Sequence, residues 1–163
     1  MTYIITATKS EAQAFIEKYK LDASKSNTLY SVIISGIGTK NMYNTMKILS
    51  AQLKENDTLV NVGICGASDA FDIGELLQVD TATQCINGTQ KILTCVDEAL
   101  EHTNLYDAVD MESYGFSQAS QGFKNSYIFK VVSDHFEPSK VTKDKTKKLI
   151  YSQIDTIMEI LNG

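Results

Sequence analysis

The stretch YDAVDMESYGFSQAS at residues 106–120 holds the feature from which the fold and its site can be worked out. An apolar strand ending in Val109 runs directly into two carboxylates, Asp110 and Glu112. Met111 separates them, and the small residues that follow are typical of a closely packed helix start. One carboxylate is enough to cap a helix, so a second one calls for a chemical explanation.

Outward from this stretch, short β-branched or aromatic runs alternate with helical patterns. Strands are predicted at residues 3–8, 29–35, 58–63, 75–83, 91–96, 105–109 and 127–132, and helices at 9–20, 39–54, 112–121 and 142–161. Several strands are nearly continuous in hydrophobicity, which indicates that both faces are covered. We therefore expect one α/β domain over residues 1–163, a three-layer sandwich with a central mixed β-sheet between helices.

Two local features of the helices are also predicted. Thr39 is in position to be the N-cap of the second helix. The lysines of the last helix form its polar face, which is most simply a solvated surface. They are Lys143, Lys145, Lys147 and Lys148.

Composition excludes several classes of protein. The net charge of −5 argues against nucleic-acid binding, which needs a basic face. All 15 basic residues are lysines, and the lack of arginine's planar fork argues against a reaction that consumes phosphate. Three cysteines without a close pair and two histidines favour neither a disulfide framework nor a metal centre, so no metal and no cofactor is expected.

The chain also lacks the signals of a membrane or exported protein. No apolar run approaches the length of a membrane span, and no basic leader precedes an apolar stretch at the start. We therefore expect no membrane partner and a cytoplasmic location.

Candidate site residues follow the predicted strands, because ligands in such sheets bind beyond the carboxyl ends of strands. The block SGIGT at residues 35–39 and the block NVGICGA at residues 61–67 contain glycines that let the backbone approach a ligand. For each block alone, a tight turn or close packing is the simpler explanation.

Three acids follow three different strands: Glu11, Glu112 and Asp134. Each has a structural alternative as a helix or turn residue. Because strand ends of one sheet converge, the three together indicate a functional site more strongly than any one of them.

The chain resembles the nucleoside phosphorylase and nucleosidase superfamily in the order of five motifs: IITATKSEA, SGIGTKN, VNVGICGASDAFDIGEL, AVDMESYGFSQ and FKVVSDHFE. The resemblance is greatest to the methylthioadenosine/S-adenosylhomocysteine nucleosidases, and it extends from the first strand to Asp134. It implies a hydrolase that cleaves the N-glycosidic bond of a purine nucleoside such as methylthioadenosine or S-adenosylhomocysteine. The products would be a free base and a ribose derivative.

The resemblance also implies a role for each acid. Asp134 is expected to protonate purine N7, with Ser133 orienting its carboxyl group. Glu11 is expected to activate the attacking water. Glu112 would accept the ribose 2′- and 3′-hydroxyls, and Met111 would lie against the sugar.

Residues of the two glycine blocks complete the predicted substrate site. They are Gly36, Gly38, Gly63, Ile64 and Cys65. The resemblance further implies a homodimer with a small nucleoside as its only other partner.

The chain departs from the resembled family in the segments that shape the base and 5′-substituent pockets. These segments are short, and an aromatic residue to stack on the purine is not evident near Ala99 and Leu100. Two alternatives therefore stay open. One is a phosphorylase that holds phosphate with Gly38, Lys40 and backbone amides, and the other is a non-catalytic nucleoside-binding relative.

Overall fold

A computed structural model describes residues Met1–Gly163 as seven β-strands and four α-helices. The strands are β1 (Thr2–Thr6), β2 (Tyr30–Ile34), β3 (Thr58–Ala67), β4 (Leu76–Val79), β5 (Leu93–Cys95), β6 (Ala108–Asp110) and β7 (Ser126–Asp134). The α-helices are α1 (Lys9–Tyr19), α2 (Thr39–Ser50), α3 (Ser113–Ala119) and α4 (Lys143–Asn162), and a short 3₁₀ turn covers Pro138–Lys140. All predicted strands and helices are present, so the α/β prediction is confirmed.

The long strand β3 organises a mixed seven-stranded sheet. β7 runs parallel to it from the pair Leu59 and Ser126 onward, and β4 adds antiparallel to the far edge of β7. β1 pairs in parallel with the first part of β3, and β2 follows beyond β1. β6 joins antiparallel at only the last two residues of β3, Gly66 and Ala67. β3 therefore pairs with β1 in its first part and with β6 at its last two residues.

Helices cover both faces of the sheet. α1 and α4 pack on one face in a cluster that includes Val60 of β3, and α2 and α3 pack on the other in a cluster that includes Leu59. Adjacent residues of β3 thus point into different cores, as the alternation of side chains along a strand requires. This confirms the three-layer arrangement.

Element boundaries differ from the predictions for local reasons. β3 continues four residues past Gly63 because β7 and then β6 supply hydrogen-bonding partners there. β4 ends at Val79, since the carboxylate of Asp80 accepts the N–H of Thr83 at 2.7 Å and closes a turn. The prediction of Thr39 as N-cap is wrong. Gly38, with φ of 98°, occupies that position.

None of the four helices combines the length and the apolarity that crossing a membrane requires.

Candidate active site

A cavity of about 610 Å³ lies where β1, β3, β6 and β7 end. The first residues of α1 and α4 close one end of it. Seven predicted site residues line this cavity: Glu11, Ile64, Cys65, Met111, Glu112, Ser133 and Asp134. Acids that are far apart in the sequence therefore share one space, as the convergence of strand ends predicted.

The three predicted glycines do not line the cavity but support its walls. The N–H of Gly38 donates to Glu112 Oε1 at 2.8 Å. A Cβ atom at Gly63 would lie 3.0 Å from Glu11 Oε1 and 3.2 Å from Lys130 Nζ, so only glycine leaves these two side chains undisturbed. Gly36 has φ of 86°, a conformation that favours glycine in the turn before α2.

The two carboxylates of the opening stretch have different surroundings. Asp110 Oδ2 accepts the N–H of Ser113 at 2.9 Å, which satisfies a free donor at the start of α3. Glu112 accepts the N–H of Gly38 across the cavity wall and also lines the cavity. One acid therefore caps the helix, and the other is available to a ligand.

Lys130 is a site component that sequence reasoning missed. It lies in the middle of β7 with 1% of its surface exposed, and its Nζ is 2.8 Å from Asp110 Oδ2. Burial disfavours the charge on Lys130, but Asp110 and Glu112 outweigh this effect, so the pKa of Lys130 is raised. A lysine inside an otherwise apolar buried strand was the signal that could have revealed it.

Glu112 lies in an environment that opposes its ionisation. Its surface is only 7% exposed, and burial raises the pKa of its carboxyl group. The charge of Lys130 and the N–H of Gly38 act in the opposite direction without cancelling the effect.

Asp134 is held from two sides at the end of β7. Ser133 Oγ lies 2.5 Å from its Oδ1, and the N–H of Glu137 donates to its Oδ2 at 2.8 Å. Ser133 Oγ is also 3.1 Å from the carbonyl oxygen of Cys65. These contacts fix the carboxyl group at the cavity wall, which is the geometry that an oriented acid needs.

Glu11 completes a capping box at the start of α1. Its Oε2 accepts the N–H groups of Ala7 and Thr8 at 3.0 and 2.8 Å, and Oε1 accepts the N–H of Ile64 at 3.1 Å. Glu11 is therefore a helix-capping residue, as its structural alternative predicted, and this does not exclude a second role. Oε1 carries only one of these bonds and retains acceptor capacity.

Aliphatic side chains form one wall of the cavity. They come from Val96, Ala99, Leu100 and Val109, and none of the lining residues is aromatic. A flat ring bound here would pack against these methyl groups rather than stack on another ring. No group of three or more His, Cys, Asp or Glu side chains is arranged to hold a metal ion, and all three cysteines are free.

Neither a family model nor a curated protein sequence matches the chain significantly. Solved structures do match it. The 5′-methylthioadenosine/S-adenosylhomocysteine nucleosidase of Helicobacter pylori with butyl-thio-DADMe-Immucillin-A is 14% identical, with a TM-score of 0.72 over 99% of this chain and 97% of that chain. The same kind of nucleosidase from Colwellia psychrerythraea 34H, in complex with adenine, is 18% identical, with a TM-score of 0.71 over 99% and 94%.

A third match is the futalosine hydrolase of Helicobacter pylori, 14% identical, with a TM-score of 0.67 over 95% of this chain and 97% of that chain. At these identities the likeness concerns the fold. The chain has the α/β fold of these nucleosidases, which is the fold that the order of its motifs predicted.

Proposed function

We propose that the protein is a nucleosidase that hydrolyses the N-glycosidic bond of a purine nucleoside such as methylthioadenosine or S-adenosylhomocysteine. The observation that carries this proposal is that Glu11, Glu112 and Asp134 line one cavity. Buried carboxylates favour the positive charge that develops on the sugar as the C1′–N9 bond breaks.

Glu112 is the proposed ribose ligand. A carboxylate can accept two hydroxyl donors, and Oε2 of Glu112 has no hydrogen-bond partner within the chain. Burial makes each such contact stronger than it would be in water. Met111, next to it on the cavity wall, would lie against the sugar.

Asp134 is the proposed general acid. As the C1′–N9 bond breaks, its electron pair moves into the purine, and Asp134 delivers a proton to N7 so that the base leaves neutral. The hydrogen bonds of Ser133 and Glu137 support this role, because they hold the carboxyl group in one orientation.

Glu11 is the proposed base. Water adds to C1′ and gives up its proton to Glu11 Oε1, the oxygen with free acceptor capacity. Lys130 is the proposed positioning residue for this step. Its buried charge lies near Asp110, Glu112 and Glu11 and offsets part of the repulsion between these carboxylates.

A phosphorylase is supported less well. Lys40 does not line the cavity, and the N–H of Gly38 is already occupied by Glu112. The non-catalytic alternative is favoured by one observation, which is the lack of an aromatic lining residue to hold the base.

We also propose a homodimer. Three large exposed side chains line a second pocket that shares Ile37 with the cavity, namely Ile37 at 56%, Tyr43 at 39% and Tyr114 at 55%. Exposed apolar groups that lie together are typical of an interface. Sedimentation at micromolar concentration tests this, and a monomer alone contradicts it.

Product analysis tests the function. The protein is incubated with methylthioadenosine or inosine, each with and without phosphate. A nucleosidase releases free base and a ribose product that contains no phosphate. Formation of ribose 1-phosphate from inosine, or of its 5-methylthio counterpart from methylthioadenosine, supports the phosphorylase instead. Binding without any product supports the non-catalytic relative.

A further inference from the structure

Asn61 is a buried polar residue in the middle of β3 that has no part in the proposed reaction. Only 1% of its surface is exposed, and its side chain leaves the sheet on the α2/α3 face, as that of Leu59 does. Its neighbours across the sheet are Ile5 of β1 and Ile128 of β7, both of which belong to the apolar core on that face. An amide in such surroundings needs a partner for each of its polar atoms.

The two polar atoms of the Asn61 amide differ in this respect. Nδ2 donates to the carbonyl oxygen of Ile5 at 3.1 Å, whereas Oδ1 is buried and has no hydrogen-bond partner within the chain. Exchanging the two atoms would place two acceptors together, so the orientation of the amide is fixed by the carbonyl group. A buried acceptor without a donor costs free energy, and Oδ1 therefore indicates a bound donor that is not part of the chain.

The unpartnered oxygen is directed away from β1. β1 and β7 pair with opposite edges of β3 at Asn61. Nδ2 is turned towards Ile5 on β1, so Oδ1 is the atom of the amide that is farther from that strand. The nearest polar side chain of β7 on this face is Lys130, which pairs with Gly63, two residues beyond Asn61.

The distance between Asn61 and Lys130 suits one water molecule. Lys130 Nζ would lie 3.2 Å from a Cβ atom at Gly63, and side chains two residues apart on a strand start about 6.5 Å from each other. The side chain of Asn61 covers part of this distance. A water molecule with two hydrogen bonds of about 2.8 Å spans the rest.

The ammonium group of Lys130 has N–H groups to spare. It carries three of them, and Asp110, at 2.8 Å, is its one ion-pair partner. Its surface is almost completely buried, so bulk water does not supply the missing acceptors. Spare donors and an unpartnered acceptor thus occur on one face of the sheet, and a single buried water molecule satisfies both.

We propose that Asn61 is a positioning residue, whose Oδ1 binds one buried water molecule that in turn accepts an N–H of Lys130 and holds the ammonium group beside Glu11. The flexible stem of a lysine fixes no geometry of its own, so a second anchor besides Asp110 sets the distance between the ammonium group and Glu11. Asn61 does not line the cavity, and this water is distinct from the one that attacks C1′. The catalytic part of the inference rests on the proposed function, whereas the water site does not.

Two substitutions of equal shape separate the acceptor from the packing. The hydroxyl group of Asn61→Thr can donate to the carbonyl oxygen of Ile5 and still accept from the water. Asn61→Val has no polar atom in its side chain, and both replacements suit a strand. Crystal structures of the parent and the two variants locate the water and Lys130 Nζ, and urea denaturation compares their stability.

An ordered water within about 2.7–3.2 Å of Lys130 Nζ is expected in the parent and in Asn61→Thr, but not in Asn61→Val, where Nζ should also be displaced. For methylthioadenosine, kcat of Asn61→Val should fall about 10-fold with little change in KM, because misplacing a positioned group mainly affects the transition state. Asn61→Thr should recover most of this loss. In a Lys130→Met background Asn61→Val should have no further effect on kcat, since Asn61 acts through Lys130.

The inference is wrong if the parent has no water at this position, or if Asn61→Val keeps the kcat of the parent. Equal losses of kcat in the two variants also overturn it, because packing and not the acceptor would then be responsible. The crystal structures separate this inference from the proposed function. A bridging water, with Nζ displaced in Asn61→Val, supports the water site even in a protein that cleaves no nucleoside, and that lack of cleavage contradicts the nucleosidase. Cleavage without the water does the reverse.

Discussion

Lys130 Nζ lies 2.8 Å from Asp110 Oδ2 beneath the cavity, and both side chains are almost completely buried. Removing two charges from water is expensive, so such a pair adds little stability compared with apolar side chains. Breaking it leaves one charge buried without a partner, and this costs much more. The ion pair therefore fixes the electrostatics of the site more than it stabilises the fold.

Lys130→Met is expected to lower the free energy of unfolding by about 3–5 kcal/mol, because Asp110, Glu112 and Glu11 lose their only buried cation. Urea denaturation measures the loss. Lys130→Met/Asp110→Asn should recover part of it, since one of the stranded charges is removed as well. A single variant as stable as the parent protein would mean that water reaches these carboxylates.

Asp134→Asn is expected to cut turnover of a purine nucleoside by about 10²-fold or more while leaving the fold intact. The amide oxygen can still accept the N–H of Glu137, and the amide NH2 can donate to Ser133 Oγ while the Ser133 hydroxyl donates to the carbonyl oxygen of Cys65. The amide cannot transfer a proton to N7. Steady-state kinetics measures the change, and circular dichroism checks the fold. Full activity in this variant, on a substrate that the parent cleaves, would refute the proposed mechanism.

Glu112→Gln is expected to weaken ribose binding and turnover and yet to raise stability near neutral pH by about 1 kcal/mol. Burial raises the pKa of Glu112 in the folded protein. The folded state therefore binds the proton more tightly, and the contribution of Glu112 to stability falls as pH rises through the folded pKa.

Below pH 4.5, the ordinary pKa of a glutamate, the Glu112 carboxyl group is neutral in both the folded and the unfolded state. The stability advantage of Glu112→Gln should therefore disappear there. Thermal melts of the parent and of Glu112→Gln between pH 4 and pH 8 test whether the stability difference between them shrinks as the pH is lowered. An advantage that grows as the pH is lowered would contradict the assignment.

Gly63→Ala is expected to reduce turnover by about 10-fold, because small displacements of a positioned group are costly in catalysis. The new Cβ would lie 3.0 Å from Glu11 Oε1, so the carboxylate must move. Gly66→Ala on the same strand is the control for stability, since its nearest neighbour, Phe136 Cδ1, would be 3.4 Å away. Unchanged kcat in Gly63→Ala would remove Glu11 from the mechanism.

The fold and the acids of the site were within reach of sequence reasoning. Strand and helix periodicities are local. β1 and β7 both run parallel to β3, so their carboxyl ends lie at the same edge of the sheet. The meeting of Glu11 with Asp134 followed from that rule without any knowledge of side-chain positions.

The remaining parts depend on contacts between distant residues. Lys130 is an isolated cation in an apolar strand, and its partner Asp110 belongs to a strand that does not pair with β7. Thr39 was predicted as a cap, but its hydroxyl lies 3.2 Å from the carbonyl oxygen of Met111, a neighbour that only the packing of α2 against α3 supplies. The helical pattern of α4 likewise contained no information about the space beyond its first turn.

Glu11 and Glu112 differ in what they would reveal about the history of the chain. Glu11 anchors α1 through four hydrogen bonds, so selection for foldability alone would retain it even in a descendant that had lost every activity. Burial disfavours the ionised form of Glu112. Without selection for function, mutations that replace this residue would make the protein more stable and would be retained. Among relatives of this chain, a glutamate at the position of Glu112 is therefore a better marker of a site still under functional selection than one at the position of Glu11.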